Sequence, residues 1–268
     1  MVIPSDLTAT LVLVRHGEST WIAEGRFQGR QDPPLSVLGH RQAELVAARL
    51  AERDEQTPLP IPTGTPAAVW HSPLGRAATT AQLIAGAQPT DVPTIAMDAI
   101  VELAQGEWEG QHQSIVSTRW ADELAAWRRT PALSQAPGGE KLADAQIRVA
   151  SALSQVFDRL PRSPVPDSAA SYSPVPGYAT GTGPSVLSDP WAVLVAHDGV
   201  FRILVLTLLD VPLERFWSFP FNLCAITVVT LRDGVAALRA HNLSEHLAPL
   251  AAEVRAAAEA RGDRRGAL

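Results

Sequence analysis

Short, almost wholly apolar runs that break off in a polar cluster and lead into a helical pattern recur along this 268-residue chain. Residues 10–14 are followed by Arg15-His16-Gly17-Glu18, residues 67–70 by His71-Ser72-Pro73, and residues 191–196 by His197-Asp198-Gly199. Apolar periodicity then predicts helices over 37–53, 74–85 and 200–209, the first entered through Pro34-Leu35-Ser36. Strands that are apolar throughout must be covered on both faces, and strands that alternate with helices run parallel. The expected fold class is therefore α/β, a three-layer α/β/α arrangement around a mostly parallel sheet, to which 92–97 adds a further strand. Residues 224–231 and 235–239 flank Arg232-Asp233-Gly234, whose Asp-Gly turn predicts a hairpin and so one antiparallel strand.

Between the second and third junctions, 113–129 and 139–160 read as two helices rich in Ala, Leu and Trp, parted by Thr130-Pro131 and Pro137-Gly138-Gly139. They are expected to form a helical lid region beside the sheet. An Ala-rich segment, 245–261, reads as a C-terminal helix. Residues 161–190 are rich in Pro, Ser and Gly and poor in large apolar side chains, so they are expected to be an inserted, partly disordered loop. With 46% hydrophobic residues there is material for one large core, and a single domain over 1–268 is the expectation.

The formal net charge of −6 gives no overall basic field, so neither the charge nor any basic tract favours nucleic acid as a partner. No apolar stretch reaches the ~18 residues of a membrane span, and the first ten residues lack the pattern of a secretory signal. Cys224 is the only cysteine, which rules out an intrachain disulfide and a cysteine-rich zinc site and fits a reducing, cytoplasmic location.

In open, mostly parallel sheets the ligand site lies past the carboxyl ends of the strands. Arg15, His16, Arg76 and His197 all converge there, joined by Glu102 from a glycine-bounded loop. Two guanidinium groups from different strands suit a phosphoryl group, because each offers a planar fork that stays charged. A neutral imidazole, His16, flanked by arginines that depress its pKa, is a competent nucleophile toward phosphorus. His197 would donate to a non-bridging oxygen, helped by the N–H groups at the start of the 200–209 helix. Glu102, among apolar neighbours, would protonate the leaving alcohol and later deprotonate water.

The run from Leu11 through Arg15-His16-Gly17-Glu18-Ser19-Thr20 resembles the signature of the histidine phosphatase superfamily, which includes phosphoglycerate mutases and many small-molecule phosphatases. Asp32-Pro33-Pro34-Leu35-Ser36, His71-Ser72-Pro73-Leu74-Gly75-Arg76, Glu102-Leu103-Ala104-Gln105-Gly106, Pro137-Gly138-Gly139-Glu140 and Val195-Ala196-His197-Asp198-Gly199 resemble its later motifs in order and spacing. The likeness spans roughly 10–240 without the 161–190 insertion. It implies that His16 is the phosphorylated nucleophile, that Arg15, Arg76 and His197 hold phosphate, and that Glu102 is the proton donor and acceptor. It further implies that Gln28 and Gly29 line the substrate entrance and that Asp198 and Gly199 adjoin the phosphate. Ile22 departs from the family pattern, which often has an asparagine touching phosphate six residues after the nucleophile. A hydrogen bond lost there would cost about 1.5–3 kcal/mol of phosphate binding.

The expected activity is a metal-independent phosphomonoesterase that hydrolyses a small phosphorylated metabolite through a phosphohistidine on His16, with no cofactor. The alternatives are a cofactor-dependent phosphoglycerate mutase and a phospholigand-binding protein without turnover. Gly106-Glu107-Trp108-Glu109-Gly110 resembles phosphatase members more than mutases, and Gln28-Gly29-Arg30 lacks the tryptophan that mutases tend to place after the matching glycine. Glu107 and Glu109 stand as substitutes for Glu102. Glu18 and His71 are expected to be structural, and Trp120, Trp127, Phe216, Trp217, Phe219 and Phe221 to be packing. His241 and His246 have no ligand-spaced partners and are not expected to bind metal. The alcohol half of the ester is left open, and a homo-oligomer is compatible with the sequence.

Overall fold

The computed structural model describes residues 3–52, 58–162, 189–250 and 252–253. Six strands, β1 (Ala9–Arg15), β2 (Val69–His71), β3 (Thr94–Ala96), β4 (Trp191–Ala196), β5 (Ile226–Arg232) and β6 (Val235–Leu243), form one sheet in the order β3-β2-β4-β1-β5-β6. The pairs β1–β4, β2–β4 and β2–β3 are parallel, while β5 is antiparallel to both β1 and β6. This is the expected mostly parallel sheet with one reversed strand. The reversal is made at Asp233 (φ 51°) and Gly234 (φ 76°), and positive φ at both positions is what a type I′ hairpin turn requires.

Successive side chains along β1 feed opposite layers. Leu11 and Leu13 join the core that contains helix α6 (Leu142–Arg159) and helix α7 (Asp198–Leu208), whereas Val12 and Val14 pack with α2 (Val37–Ala51), which follows the one-turn α1 (Thr20–Ala23), and with α3 (Gly75–Gly86). Strand β4 divides in the same way, Leu194 to the first core and Val193 and Val195 to the second. A run buried on both faces is thus the sequence trace of a central strand with helices above and below. The lid region contains three helical pieces, α4 (Gln113–Arg119), α5 (Ala121–Arg129) and α6. The continuous helix expected over 113–129 is broken at Trp120, which takes a non-helical conformation (φ −127°, ψ 45°) while its ring is buried in the core.

Other boundaries move by a few residues. Helix α6 starts at Leu142, after the Pro137-Gly138-Gly139 turn rather than inside it, and β6 runs on to Leu243 instead of stopping at 239. The segment expected as a helix from 245 opens with a 3₁₀ turn at Glu245–Leu247 and is helical at 248–250 and 252–253. Its remainder, 254–261, and all but the ends of the 161–190 insertion lie outside the described residues. None of the described helices is long and apolar enough to cross a membrane.

Candidate active site

Register decides which side chains meet. Arg15 at the end of β1 lies opposite Ala196 of β4, and His71 of β2 lies opposite Val195, so the three polar junctions end at one level of the sheet. The ladder continues one residue further on each side, with His16 N–H donating to Ala196 O at 3.0 Å and Ser72 N–H to Val195 O at 3.0 Å. Below the loop, Gly17 and Gly39 allow it to lie on the first turn of α2: a Cβ on Gly17 would run into the Gly39 carbonyl, and one on Gly39 into the Glu18 carbonyl. Glu18 is structural, as expected, and acts on this turn. Its carboxylate accepts from Ser36 Oγ at 2.6 Å, and the same Oγ caps α2 by accepting from Gly39 N at 2.9 Å.

His16 is 2% exposed, and its Nδ1 lies 2.6 Å from Gly17 O. A carbonyl oxygen only accepts, so Nδ1 carries the hydrogen and Nε2 keeps its lone pair. That lone pair accepts from Arg76 Nε at 3.3 Å. Burial, then the charges of Arg76 and Arg15, hold the ring well below the ordinary imidazole pKa, so it is neutral at pH 7. Arg76 is fully buried, its Nη1 donating to Gln31 O at 2.8 Å and its Nη2 to Gly29 O at 3.0 Å, with Asp32 at 3.6 Å.

His197 occupies the N-cap position of α7, without a side-chain capping bond, and sits edge-on to His16, with ring centroids 5.0 Å apart. Its Nε2 is 2.7 Å from Ser72 Oγ, and burial, followed by the neighbouring His16, Arg76 and Arg15, lowers its pKa well below 6.5. Two nitrogens beside His16, Arg15 Nε and His197 Nδ1, are buried without a hydrogen-bond partner among the described residues. Arg15 Nε is a donor, and His197 Nδ1 is one in the tautomer whose Nε2 accepts from Ser72 Oγ; buried polar atoms left open in this way are ones a ligand would satisfy. Arg15 is otherwise anchored through Nη1 to Phe221 O at 2.6 Å.

Glu102 closes the group from the other side. Its Oε1 accepts from Leu103 N at 2.9 Å and Val200 N at 3.2 Å, and its Oε2 from Gly199 N at 3.3 Å. Burial raises its pKa above the ordinary 4.5, outweighing the Leu103 and Gly199 N–H groups that lower it. The structure thus brings Arg15, His16, Arg76, His197, Glu102 and Gly199 to one place. Asp198 is there too, but its carboxylate turns to Arg202 Nε at 3.0 Å, and Gln28 accepts from Ser19 Oγ at 2.5 Å. No group of three or more His, Cys, Asp or Glu among the described residues has the arrangement of a metal site.

The histidine phosphatase superfamily (branch 1) profile matches residues 11–165 and 187–244. The chain belongs to that superfamily. This histidine phosphatase is 29% identical over 237 residues, 88% of its length and 93% of the relative's, to phosphoserine phosphatase 1 of Hydrogenobacter thermophilus. It is 31% identical over 205 residues, 75% of its length and 80% of the relative's, to a 2,3-bisphosphoglycerate-dependent phosphoglycerate mutase of Rhizobium etli. The solved structure of Bacillus stearothermophilus YhfR superposes with a TM-score of 0.69 at 25% identity, covering 89% of this chain and 99% of that one.

The two substitute acids have other surroundings. Glu107 is exposed, and the Glu109 carboxylate is filled by three backbone N–H groups, those of Gln105 (2.9 Å), Arg30 (3.1 Å) and Gln31 (3.2 Å). Glu109 also explains Gly29, which has φ +59° and where a Cβ would strike the Glu109 carboxylate. Ile22 faces a cavity of about 660 Å³ together with Arg15, Leu38, Asn222 and Leu247, so the departure from asparagine leaves an apolar wall beside Arg15. Trp127 packs on Phe216 and Trp217 at 5.4 and 5.7 Å, in line with a packing role, while also bordering a cavity of about 380 Å³ with Phe27, Leu124 and Arg128. His241 rests against Phe221 at 5.0 Å, and His246 Nε2 lies 3.0 Å from Cys224 O, so both belong to packing. Sequence reasoning missed Ser72, the partner of His197, and Thr80, whose hydroxyl accepts from Gly17 N at 3.3 Å. Ser72 stands between His71 and Pro73 at a strand end, a polar position next to two others, and that adjacency was the available signal.

Proposed function

We propose that this histidine phosphatase is a metal-independent phosphomonoesterase acting on a small phosphorylated metabolite, with His16 as nucleophile and Glu102 as proton donor and acceptor. The observation that carries the reading is the tautomer of His16, a neutral buried ring beside His197 whose Nδ1–H is committed to Gly17 O and whose Nε2 lone pair faces Arg76 Nε. Nε2 attacks phosphorus as the P–O bond to the alcohol breaks, and Glu102 passes its proton to the departing oxygen. The resulting carboxylate remains on the Leu103, Gly199 and Val200 N–H groups, which favour the charged form at the start of α7. Water, giving its proton to Glu102, then attacks phosphorus and breaks the P–N bond, which restores His16. Arg15, Arg76 and His197 hold the equatorial oxygens, where charge must be met during phosphoryl transfer. Gln28 and Gly29 are assigned to the entrance, and the backbone of Asp198 and Gly199 to the phosphate side. The reading includes one domain over 1–268 and a cytoplasmic location.

The phosphoserine phosphatase relative, aligned over 88% of this chain, supports hydrolysis. The relatives named as mutases favour a second reading, in which the phosphoryl group is returned to a bound phosphoglycerate instead of to water. Phosphate release from p-nitrophenyl phosphate, phosphoserine, phosphoglycerates and sugar phosphates, measured with EDTA present, separates the two. Hydrolysis of at least one ester by the wild type, reduced by roughly 10³-fold or more in His16→Ala, is the expected outcome. Turnover that appears only as phosphoglycerate interconversion after bisphosphoglycerate priming would establish the mutase instead.

A further inference from the structure

The stretch that carries Glu102 has little regular structure of its own, so its carbonyls must find partners elsewhere. Two residues of the lid region supply them. Arg148, inside α6, donates through Nη1 to Ala99 O at 2.9 Å and Val101 O at 2.6 Å, and through Nη2 to Glu102 O at 3.4 Å. Glu140, two residues before α6, donates its backbone N–H to Ala104 O at 2.9 Å. The two side chains lock to each other in a bidentate fork, Arg148 Nε to Glu140 Oε1 and Nη2 to Oε2, both at 2.8 Å, with only 18% and 12% of their side-chain surfaces exposed. A third residue ties this fork to the phosphate side. Arg30 donates from Nη2 to Glu140 Oε1 at 3.0 Å and from Nε to Glu102 O at 3.4 Å. It lies between Gly29 and Gln31, whose carbonyls hold Arg76.

We propose that Glu140 and Arg148, bridged by Arg30, are the positioning residues of the acid, holding the 99–104 backbone so that the Glu102 carboxyl meets the leaving oxygen of the bound ester. The inference rests on the reading of Glu102 as proton donor. Neither Glu140 nor Arg148 makes a hydrogen bond to His16, Arg76 or His197; they reach the phosphate side only through Arg30 and through the Arg148 charge, which helps to lower the His197 pKa. Burial pushes the Glu140 carboxyl up, but the Arg148 fork and Arg30 outweigh it and hold the group below the ordinary carboxylate value, so the clamp is an ion pair at neutral pH. Displacement of a reacting group by about 1 Å costs on the order of 10²-fold in rate, which sets the scale of the effect.

The test compares an alkyl phosphate, whose leaving oxygen needs a proton, with p-nitrophenyl phosphate, whose leaving group does not, in the full chain and in Arg148→Lys, Glu140→Gln and Glu102→Gln. Lysine keeps the charge and loses the planar fork, and glutamine keeps the shape and loses the charge. The expected result, read in kcat/KM because the later hydrolysis of phosphohistidine is common to both esters and also uses Glu102, is a value for the alkyl ester about 30- to 100-fold lower in Arg148→Lys and lower to a smaller extent in Glu140→Gln, with that for the aryl ester changed by less than about 3-fold. Inhibition by vanadate should stay within about 2-fold, because neither clamp side chain bonds to His16, Arg76 or His197. Glu102→Gln should show the same selectivity more strongly, and the double variant Glu102→Gln with Arg148→Lys should be no worse than Glu102→Gln alone. Equal loss on both esters, or a fall in thermal midpoint with no change in selectivity, would mean that the clamp is merely structural. Arg232→Lys, at the Arg232–Asp189 pair away from the site, serves as the comparator for simple destabilisation. If Arg148→Lys does not fold, Glu140→Gln carries the test alone. A Glu102→Gln variant without ester selectivity would overturn the acid assignment and the positioning role together, whereas selectivity in Glu102→Gln but in neither clamp variant would overturn the positioning role only.

Discussion

In the role proposed for His16 as nucleophile, one hydrogen bond decides which nitrogen attacks. With Nδ1–H on Gly17 O the free lone pair is on Nε2, and the two arginines and burial keep it unprotonated. Charge is supplied around the ring rather than on it. The same view makes Ile22 the residue most open to improvement. It is half-buried and borders the same cavity as Arg15, so on the proposed reading of Arg15 as a phosphate ligand an amide there adds a donor that the apolar side chain lacks. Ile22→Asn is expected to tighten vanadate inhibition and to lower KM by roughly tenfold or more, corresponding to one hydrogen bond to a charged oxygen at about 1.5–3 kcal/mol. Inhibition constants measured alongside the thermal midpoint check this. An unchanged constant in a folded variant would mean that another group already fills the role.

Among the elements, the glycine-bounded acid loop is held from two sides, by α6 through Arg148 and by the 29–31 turn through Glu109. Glu109 has no contact with His16, yet its three backbone bonds orient the turn whose carbonyls fix Arg76. Glu109→Ala is therefore expected to cost about 2–4 kcal/mol of stability, from denaturant unfolding, and to raise KM more than it lowers kcat, because Arg76, proposed to hold phosphate, loses its seat. A variant of wild-type KM would show that Arg76 is placed without the turn. These contacts also mark where sequence reading stops. The strand ends at Arg15, His71 and Ala196 are legible because each closes a run buried on both faces, and the Asp233-Gly234 turn is legible because few other pairs accept two positive φ values. By contrast, Trp120 breaks a helix whose local pattern runs straight through it, because burying its ring outweighs local propensity. Glu109 and Arg148 are illegible for a related reason: their partners are backbone carbonyls and N–H groups, which every residue possesses. Only an arginine lying three residues after Ala145 and one before Val149 on a buried helix hinted at it.

For the whole molecule, the site's electrostatics set how stability depends on pH. His16 and His197 are buried neutral with folded pKa values below the ordinary 6.5, so below pH 6.5 the unfolded chain takes up protons that the folded one refuses. Each therefore contributes stability that is present above pH 6.5 and is lost as pH falls, at up to about 1.4 kcal/mol per pH unit, until its folded pKa is reached. Glu102 has the opposite sign. Its folded pKa is raised above 4.5, so the folded state holds a proton that the unfolded chain has released, and its contribution is present below pH 4.5 and is lost as pH rises through the folded value. Between 4.5 and 6.5 the histidines and Glu102 thus pull against each other, with His241 and His246, also lowered mainly by burial, adding to the histidine side. Unfolding free energies measured by urea at half-unit steps from pH 7 to 5 resolve the terms. Relative to wild type, His16→Asn is expected to flatten the acid loss by up to about 1.4 kcal/mol per pH unit, and Glu102→Gln to steepen it by a similar amount where Glu102 would otherwise hold its proton. Parallel curves for all three proteins would mean that neither group changes its proton affinity on folding. The neutral nucleophile and the protonated acid would then lose their common physical basis, which is the burial of one site between the ends of three strands.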